Sequence, residues 1–161
     1  MPRHGARALA GLALVLAAGA PWSAGADTCE ELPRTLVVED VSRGQVLHRE
    51  PVNPGDRLAL AWVHSSERVP VRGILVVEAQ GGLRVVETAF AGPGPGLPEY
   101  RGEQPWRYQD GLIVAPGGDV LPELRLRVSP VARQRLTLPS GRQLDLAEAV
   151  PAGAAVRIAV E

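Results

Sequence analysis

Apolar and polar residues alternate along this chain in short runs, each closed by turn residues. Residues 35–40 and 45–49 flank Ser42-Arg43-Gly44, a spacing that suits a hairpin. Asn53-Pro54-Gly55-Asp56 is a strong turn signal. Leu58, Leu60 and Trp62 then alternate with Ala59, Ala61 and Val63. Residues 73–79 and 83–90 flank Gln80-Gly81-Gly82, and residues 111–115 form a short apolar run. Leu124, Leu126 and Val128 alternate with Arg125, Arg127 and Ser129, as in a half-buried strand with an arginine face. Residues 135–138 and 142–146 flank Pro139-Ser140-Gly141, and residues 155–160 alternate again. About ten short strands at roughly 8–12-residue spacing predict an all-β fold. An antiparallel β-sandwich or a small barrel is the expected architecture. The best helical window, residues 144–150, stops at Pro151.

One stretch departs from this rhythm. Residues 91–110 hold Gly-Pro-Gly-Pro-Gly at 92–96, then Leu97-Pro98, Tyr100, Trp106 and Tyr108. Proline fixes φ and glycine frees it, so an ordered loop is expected rather than a strand or helix. Long loops in compact domains are usually functional or disordered. This one reads as a lid over an open end of the β core, or as a ligand-contacting loop.

The N-terminus reads as a secretory signal peptide over residues 1–26. Arg3 and Arg7 precede an uncharged Ala/Leu-rich run at 8–20, and Ala24-Gly25-Ala26 is an A-x-A cleavage site. The run is too short for a membrane span, which needs about 20 residues. Residues 27–34 are then a flexible N-terminal segment and residues 35–161 a single all-β domain. The mature chain is expected to be periplasmic or secreted, with no transmembrane segment. Cys29 follows Asp27-Thr28, a poor lipoprotein signal, and reads as a free thiol.

Composition narrows the function classes. The formal charge is -1, from 17 basic and 18 acidic side chains, which argues against nucleic-acid binding. A single Cys excludes an internal disulfide framework. All the basic residues are Arg, spread over several strands and turns, which reads as compositional bias rather than as a motif.

The densest polar cluster is Trp62-Val63-His64-Ser65-Ser66-Glu67-Arg68-Val69-Pro70. His64, Ser65 and Glu67 invite a triad reading, but neighbouring strand residues point to opposite faces, and no G-x-S-x-G elbow occurs. His48, His64, Glu67 and Glu87 are available metal ligands, yet no zinc-type spacing joins them. No metal and no cofactor is expected. Glu87 lies within the apolar run 83–90; in a central strand it would be buried and would need a partner, such as His64, Ser65 or an Arg.

Together these residues resemble the bacterial family called domain of unknown function 1850. The resemblance runs from about Leu36 to Val160. It rests on Trp62, His64-Ser65, Glu67 and Pro70; on Glu87-Thr88, Phe90 and Gly94-Pro95-Gly96-Leu97-Pro98; and on Asp110-Gly111 before Leu112-Ile113. Arg72-Gly73 and Pro95 depart from the family's usual residues. The resemblance implies a small exported protein, often encoded beside TRAP-type solute transporters of the TAXI class, with no established activity.

The expected function is a non-catalytic accessory or binding protein, with a transporter component or a small solute as partner. The candidate cluster is His64, Ser65, Glu67, Pro70, Glu87, Gly94, Gly96, Pro98, Asp110 and Gly111. An alternative is a hydrolase-like or metal-dependent enzyme using His64 and Glu87. A third is a module that docks by an exposed sheet edge.

Overall fold

The computed structural model describes residues 34–92, 94–99 and 105–161. The expected signal peptide, Cys29 and Tyr100 lie outside these residues. Residues 32–161 form one compact unit.

Among the described residues, twelve strands build two antiparallel sheets. Four of them, β1 (Arg34–Asp40), β2 (Gln45–Val52), β9 (Glu123–Arg127) and β12 (Ala155–Val160), form sheet A in the order β2-β1-β12-β9. Sheet B runs β11-β10-β3-β4-β5-β7-β6, with β8 also paired to β5. Its strands are β3 (Arg57–Val63), β4 (Pro70–Val77), β5 (Leu83–Phe90), β6 (Arg107–Gln109), β7 (Leu112–Pro116), β8 (Val120–Leu121), β10 (Arg135–Thr137) and β11 (Gln143–Asp145). The fold is a sandwich of two open sheets, not a closed barrel.

Two strands escape the hydrophobic pattern. β6 lies inside the stretch expected to be all loop, and β8 is two residues long. Both are too short to show a period and are held by pairing with β7 and β5. β1 begins at Arg34, one residue before the expected boundary. The helical window shrinks to α1 (Leu146–Ala149), where the Asp145 side chain accepts from Ala147 N at 3.1 Å.

The alternation supplies the core. Leu36, Val38, Val156 and Ile158 of sheet A face Leu58, Leu60, Leu75, Val77, Leu83 and Leu136 of sheet B. All are buried, and they form one contiguous cluster. The opposite face of sheet A carries charge. Arg157 on β12 donates to Glu123 Oε2 at 2.6 Å and to Glu161 Oε1 at 3.0 Å, and lies 3.4 Å from Glu39 Oε2. At the sandwich rim, His48 Nε2 lies 3.2 Å from Glu50 Oε2, and Ser140 N approaches Glu50 Oε1 at 3.5 Å. Edge strand β2 is thereby tied to the β10–β11 turn.

A second, smaller cluster sits at one end of sheet B. Val71, Phe90, Leu97 and Ala115 are its buried members, with Trp62, Trp106 and Ile113 against them. Among the described residues none comes from sheet A. Leu97 and Trp106 cover this end instead, Trp106 meeting Phe90 edge-to-face at 5.6 Å.

β5 carries a bulge. Ile74 pairs Glu87 and Leu75 pairs Val85, which leaves Val86 as the extra residue. Gly117 packs on the bulge: its N–H donates to Val86 O at 2.7 Å, and a Cβ there would lie 2.3 Å from Val85 O. Only glycine fits that approach.

Candidate functional site

β3 ends at Val63, and the chain turns back at once into β4, where Pro70 pairs Val63. Two backbone bonds close the turn: Arg68 N to His64 O at 2.9 Å and His64 N to Val69 O at 2.8 Å. The turn places the His64 ring toward the glycine-rich loop. Its Nε2 lies 2.9 Å from Pro95 O, an acceptor only, so Nε2 carries the hydrogen. Nδ1 is then the acceptor for Ser66 Oγ–H at 3.2 Å and, more weakly, Glu67 N–H at 3.4 Å. Both ring nitrogens are therefore engaged. Gly94 permits the contact, because a Cβ there would lie 2.8 Å from Glu67 Cγ and 3.3 Å from His64 Cε1. His64, Glu67 and Gly94 thus form one packed junction. Ser65 is exposed beside it.

Glu87 is elsewhere. The Val86 bulge shifts the alternation by one, so Thr88 and Phe90 face inward and Glu87 faces out. Glu87 accepts from Arg107 Nη2 at 2.6 Å and keeps 27% side-chain exposure. Its row across the sheet passes through Ile74 and Ala59, and Ala59 lies five residues before His64. At about 3.3 Å per residue, that is roughly 16 Å along the strand. The expected network of Glu87 with the 64–67 turn does not form: Glu87 is half-buried, and its partner is an Arg.

Asp110 and Gly111 have a different role in the fold. Their φ values of 53° and 78° make the two-residue turn between β6 and β7, where both central residues need φ > 0. Asp-Gly is the sequence that turn prefers. Among the described residues no group of three or more His, Cys, Asp or Glu could hold a metal ion. No described helix is long and apolar enough to cross a membrane.

Gly96 and Pro98 border open space. A cleft of about 740 Å³ lies between residues 96–99 of the loop, Trp106, the inner face of sheet B at Trp62, Val85 and Thr88, and residues 116–119 after β7. Thr88 offers a hydroxyl; Glu99 and Asp119 offer carboxylates at the exposed rim. Sequence reasoning placed Thr88 and Trp62 within motifs but not within the site, and it passed over Asp119. The Gly117-Gly118 pair straight after an apolar strand was the available signal, since strand-end glycines mark close backbone approach.

The profile of the family described as domain of unknown function (DUF1850) matches residues 58–146, more than half of the chain. The chain belongs to this family. No curated protein and no solved structure matches it. The matched span is narrower than the resemblance from Leu36 to Val160 suggested. It holds every strand of sheet B and β9, but not β1, β2 or β12. The DUF1850 span therefore includes the His64 junction, the glycine-rich loop and all described walls of the cleft.

Proposed function

We propose that this DUF1850 protein is an exported, non-catalytic binding protein that takes a small solute in the cleft beside Gly96 and Pro98. The observation that carries the reading is the closed state of His64. An imidazole that donates to Pro95 O and accepts from Ser66 and Glu67 N–H is a staple for the loop, and a general base needs a free nitrogen beside a substrate proton. The cleft next to it has an aromatic wall and a few polar groups, the usual make-up of a ligand site. Export follows from the expected signal peptide. Service to a TRAP-type uptake system follows from the family resemblance.

Crosslinking in the native envelope, followed by purification of the protein, tests the reading. Recovery of a transporter component, lost on Thr88→Trp filling of the cleft, is the expected result. An intrinsic activity that disappears in His64→Ala, with no transporter recovered, would overturn it.

A further inference from the structure

Among the described residues, three other than glycine adopt positive φ: Arg68 at 57°, Asp110 at 53° and Arg133 at 46°. Asp110 is explained by its turn type. The two arginines are not, and they occupy equivalent places. Each closes a five-residue turn by donating its N–H four residues back, Arg68 to His64 O at 2.9 Å and Arg133 to Ser129 O at 3.1 Å. That left-handed closing position ordinarily takes glycine or asparagine, which suffer least from it. The two turns are joined directly, Val63 N donating to Ala132 O at 2.7 Å. Both arginines line one cleft of about 470 Å³ with Val63, Pro130 and Val131.

The cleft has a definite chemistry. Neither guanidinium has an ion-pair partner among the described residues. Among the described residues no acidic one lines the cleft. Val131 is 49% exposed, and with Val63 and Pro130 it makes the rest of the lining apolar. Arginine stands twice at a position that favours glycine, and both residues belong to the lining of one cleft. A guanidinium suits a carboxylate, which it can bind through two parallel hydrogen bonds.

We propose that Arg68 and Arg133 form a binding site for a small organic carboxylate, its acid group held by the two guanidiniums and its apolar body laid against Val63, Pro130 and Val131. The site is separate from the cleft beside Trp62, and neither depends on the other.

Titration of the ¹⁵N-labelled protein with benzoate, followed by amide shifts, tests this. Saturable shifts confined to residues 63–69 and 129–134 are expected, with acetate and benzyl alcohol each about tenfold weaker or more. Arg68→Gly and Arg133→Gly should each weaken benzoate by about tenfold, and the double variant should abolish binding. Glycine relieves the backbone, so the melting temperature should not fall. Three results would overturn the assignment: unsaturable shifts, binding that survives the double variant, or melting temperatures that drop in step with affinity. Inorganic phosphate binding as tightly as benzoate would remove the apolar body from the site. An acidic peptide that binds where benzoate fails would make the surface a protein contact instead.

Discussion

Sheet A and sheet B share one core but end differently. Sheet A presents one face to the main cluster and covers the other with ion pairs around Arg157. Sheet B faces sheet A over only part of its length. Its other end lies under Leu97, Trp106 and the glycine-rich loop. A sheet end covered by a loop packs less completely than one covered by another sheet, and the cleft opens there. The family match follows the same division, since β1, β2 and β12 fall outside it. In this molecule sheet A is largely support, and the candidate chemistry belongs to sheet B and its loops.

Substitutions can break that contrast in graded steps. Ile158→Ala, at the fully buried centre of sheet A, should cost about 4 kcal/mol in urea unfolding, the sum of lost transfer and a cavity. A cost near zero would mean that sheet A does not share the core. Gly117→Ala should cost about 3 kcal/mol, because the added methyl meets Val85 O and must force the bulge apart. Its amide-exchange signature should centre on β5 and residues 116–119 rather than on sheet A. His64→Ala should cost about 0.5–1 kcal/mol by losing exposed bonds to Pro95 O and Ser66, and should speed exchange in residues 94–97 while leaving β12 protected.

The smallest effect concerns acid. Hydrogen bonds from Arg125 and Arg157 hold the Glu123 carboxyl below the usual carboxylate range. Burial pushes Glu50 up, but hydrogen bonds from Ser140 and His48 outweigh it and leave it lowered as well. A carboxyl lowered in the folded state adds stability above its unfolded value, near 4.5, and loses it as pH falls through the folded value. Glu50→Gln should therefore narrow the gap in melting temperature between pH 7 and pH 3. Equal gaps in variant and parent would show that the rim pair does not contribute.

Much of the fold was legible because it is written in period two. Alternation in β3, β9 and β12, short apolar runs elsewhere and the Gly/Pro turn signals marked ten strands, and a sandwich or small barrel followed. β6 and β8 were not legible, since two or three residues carry no period. The direction of Glu87 was not legible for a sharper reason. Continuous alternation through Leu83, Val85, Glu87 and Ala89 would have turned the carboxylate inward, and the bulge at Val86 leaves no mark in local composition. The cleft was half legible: glycine and proline named its rim at Gly96 and Pro98, but its floor required pairing across β3, β4 and β5. The paired arginines were invisible because nothing local marks αL geometry at an arginine, and only the distant Val63–Ala132 bond brings the two turns together.

The bulge also makes strand regularity a chemical variable. Glu87 and Thr88 are neighbours, and only the parity set by Val86 decides which of them looks into the cleft. A homologue of the same length whose strand ran on without the bulge would present the carboxylate to the cleft and the hydroxyl to solvent, with both residues unchanged. Loss of the bulge would act like an exchange of acid for alcohol in the cleft wall, and a comparison of residue identities alone would not record it.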